Sequence, residues 1–193
     1  MKRLASLLAS LALSFTVSAQ EVTLYGDIED VQGTVNQFFL DCTSIQLQSA
    51  AIQLAPFQGQ YVKLRGNNIG TAAAPRIEVT AIEPFAQVTN LGGDRRPGTR
   101  FEIDLFLPAR TPYALYLGVG EGFVPLGSFG TWYLGANSLL YASGLTAGSI
   151  TTIFAPIPNQ PQLVGLDVRV QTIYLPSGGE PIASNVDCKT VRA

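Results

Sequence analysis

The chain has 193 residues, 47% of them hydrophobic and 13% charged, with 19 Gly, 12 Pro, 2 Cys, no His and a formal net charge of −2. The apolar fraction suffices for a buried core, which excludes a disordered chain, and the cysteine count excludes a disulfide-framework miniprotein. Without His there is no His-based triad, no His metal site and no imidazole general base.

Residues 1–19 read as a secretory signal peptide. Lys2 and Arg3 make a basic n-region, Leu4 to Val17 an almost uncharged apolar h-region, and Val17-Ser18-Ala19 a small-residue cleavage site. The apolar stretch is about 14 residues, short of the roughly 20 that a spanning helix needs, and no membrane span is expected downstream. The mature product is therefore expected to be secreted or periplasmic. The 12 basic residues less Lys2 and Arg3, set against 14 acidic ones, leave it at −4. That balance argues against a nucleic-acid partner, because phosphate binding needs a clustered basic excess.

From residue 20 to 88, apolar and polar residues alternate over Val22 to Ile28, Val35 to Leu40, Tyr61 to Arg65 and Arg76 to Ile82, the period of half-buried strands. A further short strand is expected near Ser44 to Leu47. The Ala-rich spacing from Ser49 to Phe57, closing at Pro56, predicts a short helix or helical turn. Three strands, a helix and two strands is the element order of an OB-type barrel. The series Leu54-x-x-Phe57-x-Gly59-Gln60-x-Val62-x-Leu64-x-Gly66, then Ile77-x-Val79-x-x-Ile82, resembles the second half of small OB-fold domains of bacterial secreted proteins. That resemblance implies that Leu54 and Phe57 pack beneath the barrel, and it implies no ligand.

Residues 89–98, with Asn90-Leu91-Gly92-Gly93-Asp94-Arg95-Arg96-Pro97-Gly98 at their centre, hold almost no apolar side chain and read as a linker between two domains. The alternative is a long loop within a single unit.

From residue 99 to 193, alternation returns in Phe101-x-Ile103-x-Leu105-x-Leu107, Ala114 to Val119, Ser149 to Phe154, Val168 to Tyr174 and Ser184 to Val191, separated by turn signals and predicting an antiparallel β-sandwich. Ile157-Pro158, Leu163-Val164-Gly165, Val168-Arg169-Val170-Gln171-Thr172 and Ser184-Asn185-Val186 resemble the C-terminal module of uncharacterised bacterial exported proteins. The resemblance implies an immunoglobulin-like sandwich and no activity. The fold expected for the whole is all-β, a small OB-like barrel followed by an immunoglobulin-like antiparallel sandwich.

Three clusters offer chemistry. Asp27, Glu29 and Asp30 crowd the end of the first strand and could hold Ca²⁺, although EF-hand spacing is absent and the plainer reading is acidic side chains facing water. Glu102 and Asp104, two apart on one strand, share a face at about 7 Å, a separation suited to an inverting glycosidase but common on exposed sheets. Tyr25, Tyr61, Lys63 and Arg65 could share a polar barrel face, the aromatic and basic kind of surface on which OB folds bind oligosaccharides or single strands. The plainer alternative is a solvated strand face. Gly120-Glu121-Gly122 and Gly92-Gly93 lack phosphate-loop context, no S-x-x-K supports Ser-Lys catalysis, and Trp132 and Tyr133 are either core or an exposed contact.

An exported chain with two cysteines invites a disulfide. Strand phase favours the opposite, since Cys42 shares a face with Phe38 and Leu40, and Cys188 with Val186, so that each thiol faces the core of its own domain. A bond between them requires both to lie at the interdomain contact.

The expected function is a non-enzymatic structural or binding module of the envelope or extracellular space, without cofactor, that contacts a polysaccharide or another protein. The alternative is a carbohydrate- or oligonucleotide-binding OB domain carried on a sandwich, and a hydrolase ranks third.

Overall fold

The computed structural model describes residues 20–30 and 37–193. The signal peptide expected at 1–19 lies outside the described residues, as does the start of the strand expected from Val35.

Strand β1 (Gln20–Asp30) alternates as its sequence predicts, with Val22, Leu24 and Ile28 turned inward. It pairs antiparallel with β4 (Tyr61–Asn68), and its last residues pair with β2 (Phe38–Leu40). Strand β2 continues to β3 (Gln46–Gln48), and β3 runs parallel to β5 (Arg76–Pro84) with Leu47 opposite Ile77. Because β5 also pairs with β4, the sheet closes into a barrel of order β1-β2-β3-β5-β4. Closure leaves no open edge in this sheet. Its interior holds Leu24, Ile28, Leu40, Val62, Leu64, Ile77 and Val79, and Leu54 and Phe57 belong to the same cluster. Gly66 stands where the β4 to β5 register shifts, and a Cβ there would lie 2.4 Å from the Glu78 carbonyl oxygen, so only Gly permits the approach.

The segment before β4 contains less helix than its Ala content predicts. A 3-10 turn covers Ala55–Phe57 only. Upstream, the Ser49 hydroxyl accepts the N–H groups of Ala51 and Ile52 at 3.3 and 3.0 Å and donates to the Val79 carbonyl at 2.7 Å. A side chain that satisfies local backbone groups in this way competes with helix.

The second half contributes β6 (Thr89–Gly93), β7 (Arg100–Leu105), β8 (Pro112–Val119), β9 (Glu121–Pro125), β10 (Thr131–Leu134), β11 (Leu139–Leu145), β12 (Thr151–Pro156), β13 (Asp167–Tyr174) and β14 (Ile182–Thr190). They form a three-stranded sheet of order β12-β7-β6, a four-stranded sheet of order β11-β8-β13-β14 and a β9-β10 hairpin, all antiparallel. The two larger sheets share one core in which Leu91, Phe101, Ile103 and Leu105 meet Leu115, Val170 and Tyr174.

The linker expected at 89–98 needs correction. Residues 89–93 are strand β6, paired with β7 from Thr89 opposite Leu105 to Gly93 opposite Phe101, and residues 94–99 are the connecting turn. In that turn Asp94 accepts from the Arg96 guanidinium and Thr99 donates to the Asp94 carbonyl. The strand escapes a periodicity reading because one of its inward positions is a fully buried Thr89 and its last two residues are glycines. The connection from barrel to sheet pair is thereby reduced to the few residues after Pro84.

Candidate functional site

Strand alternation turns Thr23, Tyr25, Asp27 and Glu29 of β1 outward from the barrel, together with Tyr61, Lys63 and Arg65 of β4. The register sets Thr23 opposite Arg65, Tyr25 opposite Lys63 and Asp27 opposite Tyr61. The four residues proposed as a ligand face are therefore neighbours. They do not form an open platform.

Tyr25 is only 3% exposed. Its ring lies 4.6 Å from that of Phe85, and Gly130 passes so close that a Cβ there would sit 2.8 Å from the Tyr25 ring. The hydroxyl of Tyr133 accepts the Tyr25 N–H at 3.1 Å and donates to the Tyr25 carbonyl at 3.4 Å. Thr131 donates to the Thr23 carbonyl at 2.8 Å. The β9-β10 hairpin thus lies against the barrel face that the sequence offers as a binding surface, and Tyr25 is corrected from ligand platform to interdomain contact. Tyr61 is half-buried, and burial together with the nearby Asp187, Asp27 and Asp41 pushes its hydroxyl up to about 12. Lys63 and Arg65 share one carboxylate, Glu83, at 3.7 and 3.2 Å. What remains open is a cleft of about 420 Å³ bounded by Glu21, Thr23, Lys63, Arg65, Gly127 and Ser128.

The acidic trio does not converge. Asp27 and Glu29 face outward, whereas Asp30 occupies the opposite strand face, where it accepts from the Gln58 amide at 2.6 Å. Among the described residues no group of three or more His, Cys, Asp or Glu is arranged to hold a metal ion, so the Ca²⁺ reading of Asp27, Glu29 and Asp30 is withdrawn. The acidic neighbour of Asp27 is instead Asp41. Burial first, and Asp41 second, raise the Asp27 carboxyl above its usual range, and its Oδ1 is buried without a hydrogen-bond partner among the described residues. Asp41 is raised as well, by burial and by Asp187.

The two cysteines also need correction. Cys42 and Cys188 form a disulfide with Cα atoms 5.6 Å apart. The phase argument fails at both ends for separate reasons. Strand β2 ends at Leu40, and Cys42 has φ 58°, so strand alternation no longer governs its side chain. Cys188 does share a face with Val186, but Val186 packs into the barrel cluster beside Tyr133 and Leu134. That face of β14 looks across the junction. Further links surround the disulfide: Arg169 donates to the Cys42 carbonyl and pairs with Asp167 at 3.0 Å, while Glu121 accepts from the Ser44 N–H at 2.6 Å and from its hydroxyl at 2.9 Å.

Sequence reasoning missed the residues that do most to build this junction. Gln171, fully buried, donates to the carbonyls of Thr131 and Ser184 at 2.8 and 3.0 Å and accepts the Tyr133 N–H at 2.9 Å, fastening β10 to the four-stranded sheet. Gln171 faces Val186 and Ile173 faces Ala183, so Thr172 alone opposes both Ser184 and Asn185, a β-bulge. The bulge aims Asn185 at β6, where its Oδ1 accepts the N–H groups of Val88 and Thr89 at 3.0 and 3.1 Å. Asp187 continues the series by accepting the Leu91 N–H at 2.7 Å. The signal available in the sequence was a Gln and a Ser-Asn pair at inward positions of strands flanked by Val and Ile, the same residues that carry the resemblance of the second half to exported modules.

Glu102 and Asp104 lie on the outer side of β7. Glu102 pairs with Arg100 at 3.9 Å, and Asp104 accepts from Thr152 at 2.6 Å. Two adjoining hollows flank the outer side of β2 and β3, one of about 600 Å³ bounded by Phe38 and residues 48–55, the other of about 360 Å³ bounded by Phe39, Gln46, Gln48 and Arg76. No protein-family model matches the chain, and no curated protein gives a significant match.

Proposed function

We propose that the protein is an exported, non-enzymatic structural or binding module in which an OB-type barrel and an immunoglobulin-like sandwich act as one rigid body. The observation that carries this reading is the fastening of the two halves, covalently through Cys42 and Cys188 and non-covalently through Tyr133 and Tyr25. A disulfide of this kind suits an oxidising compartment, which agrees with the signal-peptide pattern. The closing order β1-β2-β3-β5-β4 supports the OB-type reading of the barrel. The sheet orders β12-β7-β6 and β11-β8-β13-β14 support the immunoglobulin-like reading, since the chain crosses between the two sheets after β7, after β11 and after β12, giving a three-plus-four strand arrangement.

The ligand-binding alternative moves from the Tyr25 face to the outer side of β2 and β3. There Phe39 offers an aromatic surface, and Gln46, Gln48 and Arg76 offer polar groups around two joined hollows, a composition suited to a neutral or acidic oligosaccharide. A glycan array probed with the disulfide-intact protein separates the readings. The structural reading expects no glycan retained above background. Retention that falls at least about tenfold in Phe39→Ala or Arg76→Ala would transfer the conclusion to the carbohydrate-binding reading. Turnover of any arrayed glycan would overturn the non-enzymatic assignment.

A further inference from the structure

One end of the sheet pair carries a cleft that belongs neither to the barrel nor to the hollows beside β2 and β3. It holds about 440 Å³ between two connections, residues 108–112 leading into β8 and residues 175–178 following β13. That volume falls in the range of small-ligand clefts. Tyr174, 8% exposed, and Leu175, 42% exposed, supply aromatic and aliphatic surface. Pro108, Pro112 and Pro176 add apolar rings on a backbone of fixed φ. The two connections are joined where the Leu175 N–H donates to the Pro112 carbonyl at 3.0 Å.

Among the described residues that line the cleft, Arg110 alone is charged, and it forms no ion pair with a described carboxylate. Between Asp104 and Asp167 the only other charged residue is Glu121, which is engaged by Ser44 and Arg169. Asp104 accepts from Thr152, and Glu180 accepts from Ser128. The backbone of Arg110 is left-handed, with φ 63°, a conformation easy for glycine and unfavourable for an L side chain. Its surroundings impose it. The Arg110 N–H donates to the Thr146 carbonyl at 2.9 Å, and the Thr146 N–H returns to the Thr111 carbonyl at 3.1 Å. The Thr111 N–H donates to the Thr146 hydroxyl at 2.9 Å, and the Thr111 hydroxyl donates to the Pro108 carbonyl at 2.8 Å. An unmatched cation is thus held on a rigid, strained loop beside an apolar cleft, and strain of this kind collects at ligand sites.

We infer that this cleft binds a carboxylate carried on a short apolar body, with Arg110 as its counter-charge and Tyr174, Leu175 and the three prolines as its apolar wall. The planar guanidinium fork matches the two oxygens of a carboxylate. One cation also balances one negative charge. A phosphate monoester would bring nearly two, and the surplus would be repelled by a mature chain that is itself net negative. The apolar body is short, because an open cleft of this size covers a ring or a branched side chain, whereas a long acyl chain needs an enclosed apolar tunnel to leave water. This is the chemistry of a polypeptide's last residue with an apolar side chain, or of a small free organic acid. The rigid loop keeps the ordering cost of binding low. No residue of the cleft belongs to the barrel, so this inference is independent of whether the barrel binds a glycan.

Titration of the isotope-labelled, disulfide-intact protein with N-acetyl-L-leucine, followed by amide chemical shifts, tests it. Saturable shifts should appear at Ala109, Arg110, Thr111, Leu175 and Ser177, with a dissociation constant of about 1 mM. N-acetyl-L-leucinamide, which lacks the charge, and acetate, which lacks the apolar body, should each bind at least about tenfold more weakly. Arg110→Gly should stay folded, since glycine accepts φ 63°, and should lose at least about tenfold in affinity. Arg110→Lys should keep part of it, and Arg95→Gln, in the turn between β6 and β7, should bind as the wild type does. No saturable shift up to about 20 mM would overturn the inference, as would an Arg110→Gly variant that binds like the wild type. Acetate binding as tightly as N-acetyl-L-leucine would reduce Arg110 to an exposed ion and equally overturn it. Phenyl phosphate binding more tightly would overturn the carboxylate class. A blocked tripeptide ending in a free leucine separates the two sources. A gain of at least about tenfold over N-acetyl-L-leucine assigns the cleft to polypeptide C-termini, and equal affinity assigns it to small free acids.

Discussion

The side chain of Asn185 is bonded to Thr89 as a neighbouring strand would be, its Oδ1 accepting the Thr89 N–H at 3.1 Å and its Nδ2 donating to the Thr89 carbonyl at 2.7 Å. An amide is the only uncharged side-chain group with both a donor and an acceptor in that planar arrangement. One side chain therefore stands in for a stretch of sheet and closes the edge of β6 where the chain leaves the barrel.

Asn185→Ala should be among the most damaging single substitutions in the second half. It strips the N–H groups of Val88 and Thr89 and the Thr89 carbonyl of their partner in a buried setting. The expected loss is about 3 kcal/mol, a fall in Tm of roughly 10 °C for a chain of this size. Thermal unfolding measures it, and a fall below about 2 °C would mean that water replaces the amide.

Tyr133→Phe removes a single oxygen. That oxygen both accepts from and donates to the backbone of Tyr25, so its loss should cost about 1–3 kcal/mol while leaving the far sheet edge intact. Urea midpoints read the energy. Hydrogen exchange should show faster opening at Tyr25 than at Ile103, and equal protection at the two would place the effect elsewhere.

The disulfide closes a loop with a sequence separation of 146, for which chain entropy gives roughly 5 kcal/mol, and natural bridges generally contribute about 2–5. Thiol titration of the denatured, unreduced protein should find no free thiol. Cys42→Ala together with Cys188→Ala should lower stability by a few kcal/mol. Two titratable thiols in the wild type would refute the bond outright.

The neighbouring carboxyls of Asp27 and Asp41 predict an unusual pH response. The carboxyls of Asp27 and Asp41 are raised, in each case chiefly by burial. A carboxyl with a higher pKa in the folded state binds its proton more readily there, so folding is favoured as the pH falls toward that pKa and disfavoured as it rises past it. Asp27→Asn should accordingly stabilise the protein at pH 7 and flatten the gain seen on acidifying toward the ordinary carboxylate range. Urea midpoints compared at pH 7 and pH 5 check this, and an unchanged slope in the variant would remove Asp27 as its source.

Much of the barrel and of β7 is legible in the sequence, since Val22, Leu24 and Ile28, or Phe101, Ile103 and Leu105, mark one face toward a core and one away. Strand β6 is not legible, because its buried Thr89 is made tolerable only by hydroxyls of Thr172 and Ser184, which arrive from distant segments. The candidate face is half legible. Strand phase assembles Tyr25, Tyr61, Lys63 and Arg65 correctly, but what lies on top of Tyr25 depends on a contact with a residue 108 positions away. The cysteines go astray for two reasons: a left-handed residue at Cys42 ends the alternation on which the phase argument rests, and the Val186 and Cys188 face of β14 looks toward the barrel rather than into its own sheet pair.

The bond between Cys42 and Cys188 also makes most of the molecule a covalent ring, with the sheet pair and three of the five barrel strands, β3, β4 and β5, inside it. A pull applied from either side of that ring passes through the bond and bypasses the chain between the two cysteines. Under tension such a protein can extend only the β1 and β2 region before Cys42 and the few residues after Cys188, because the chain between the two cysteines is held at fixed length by the bond.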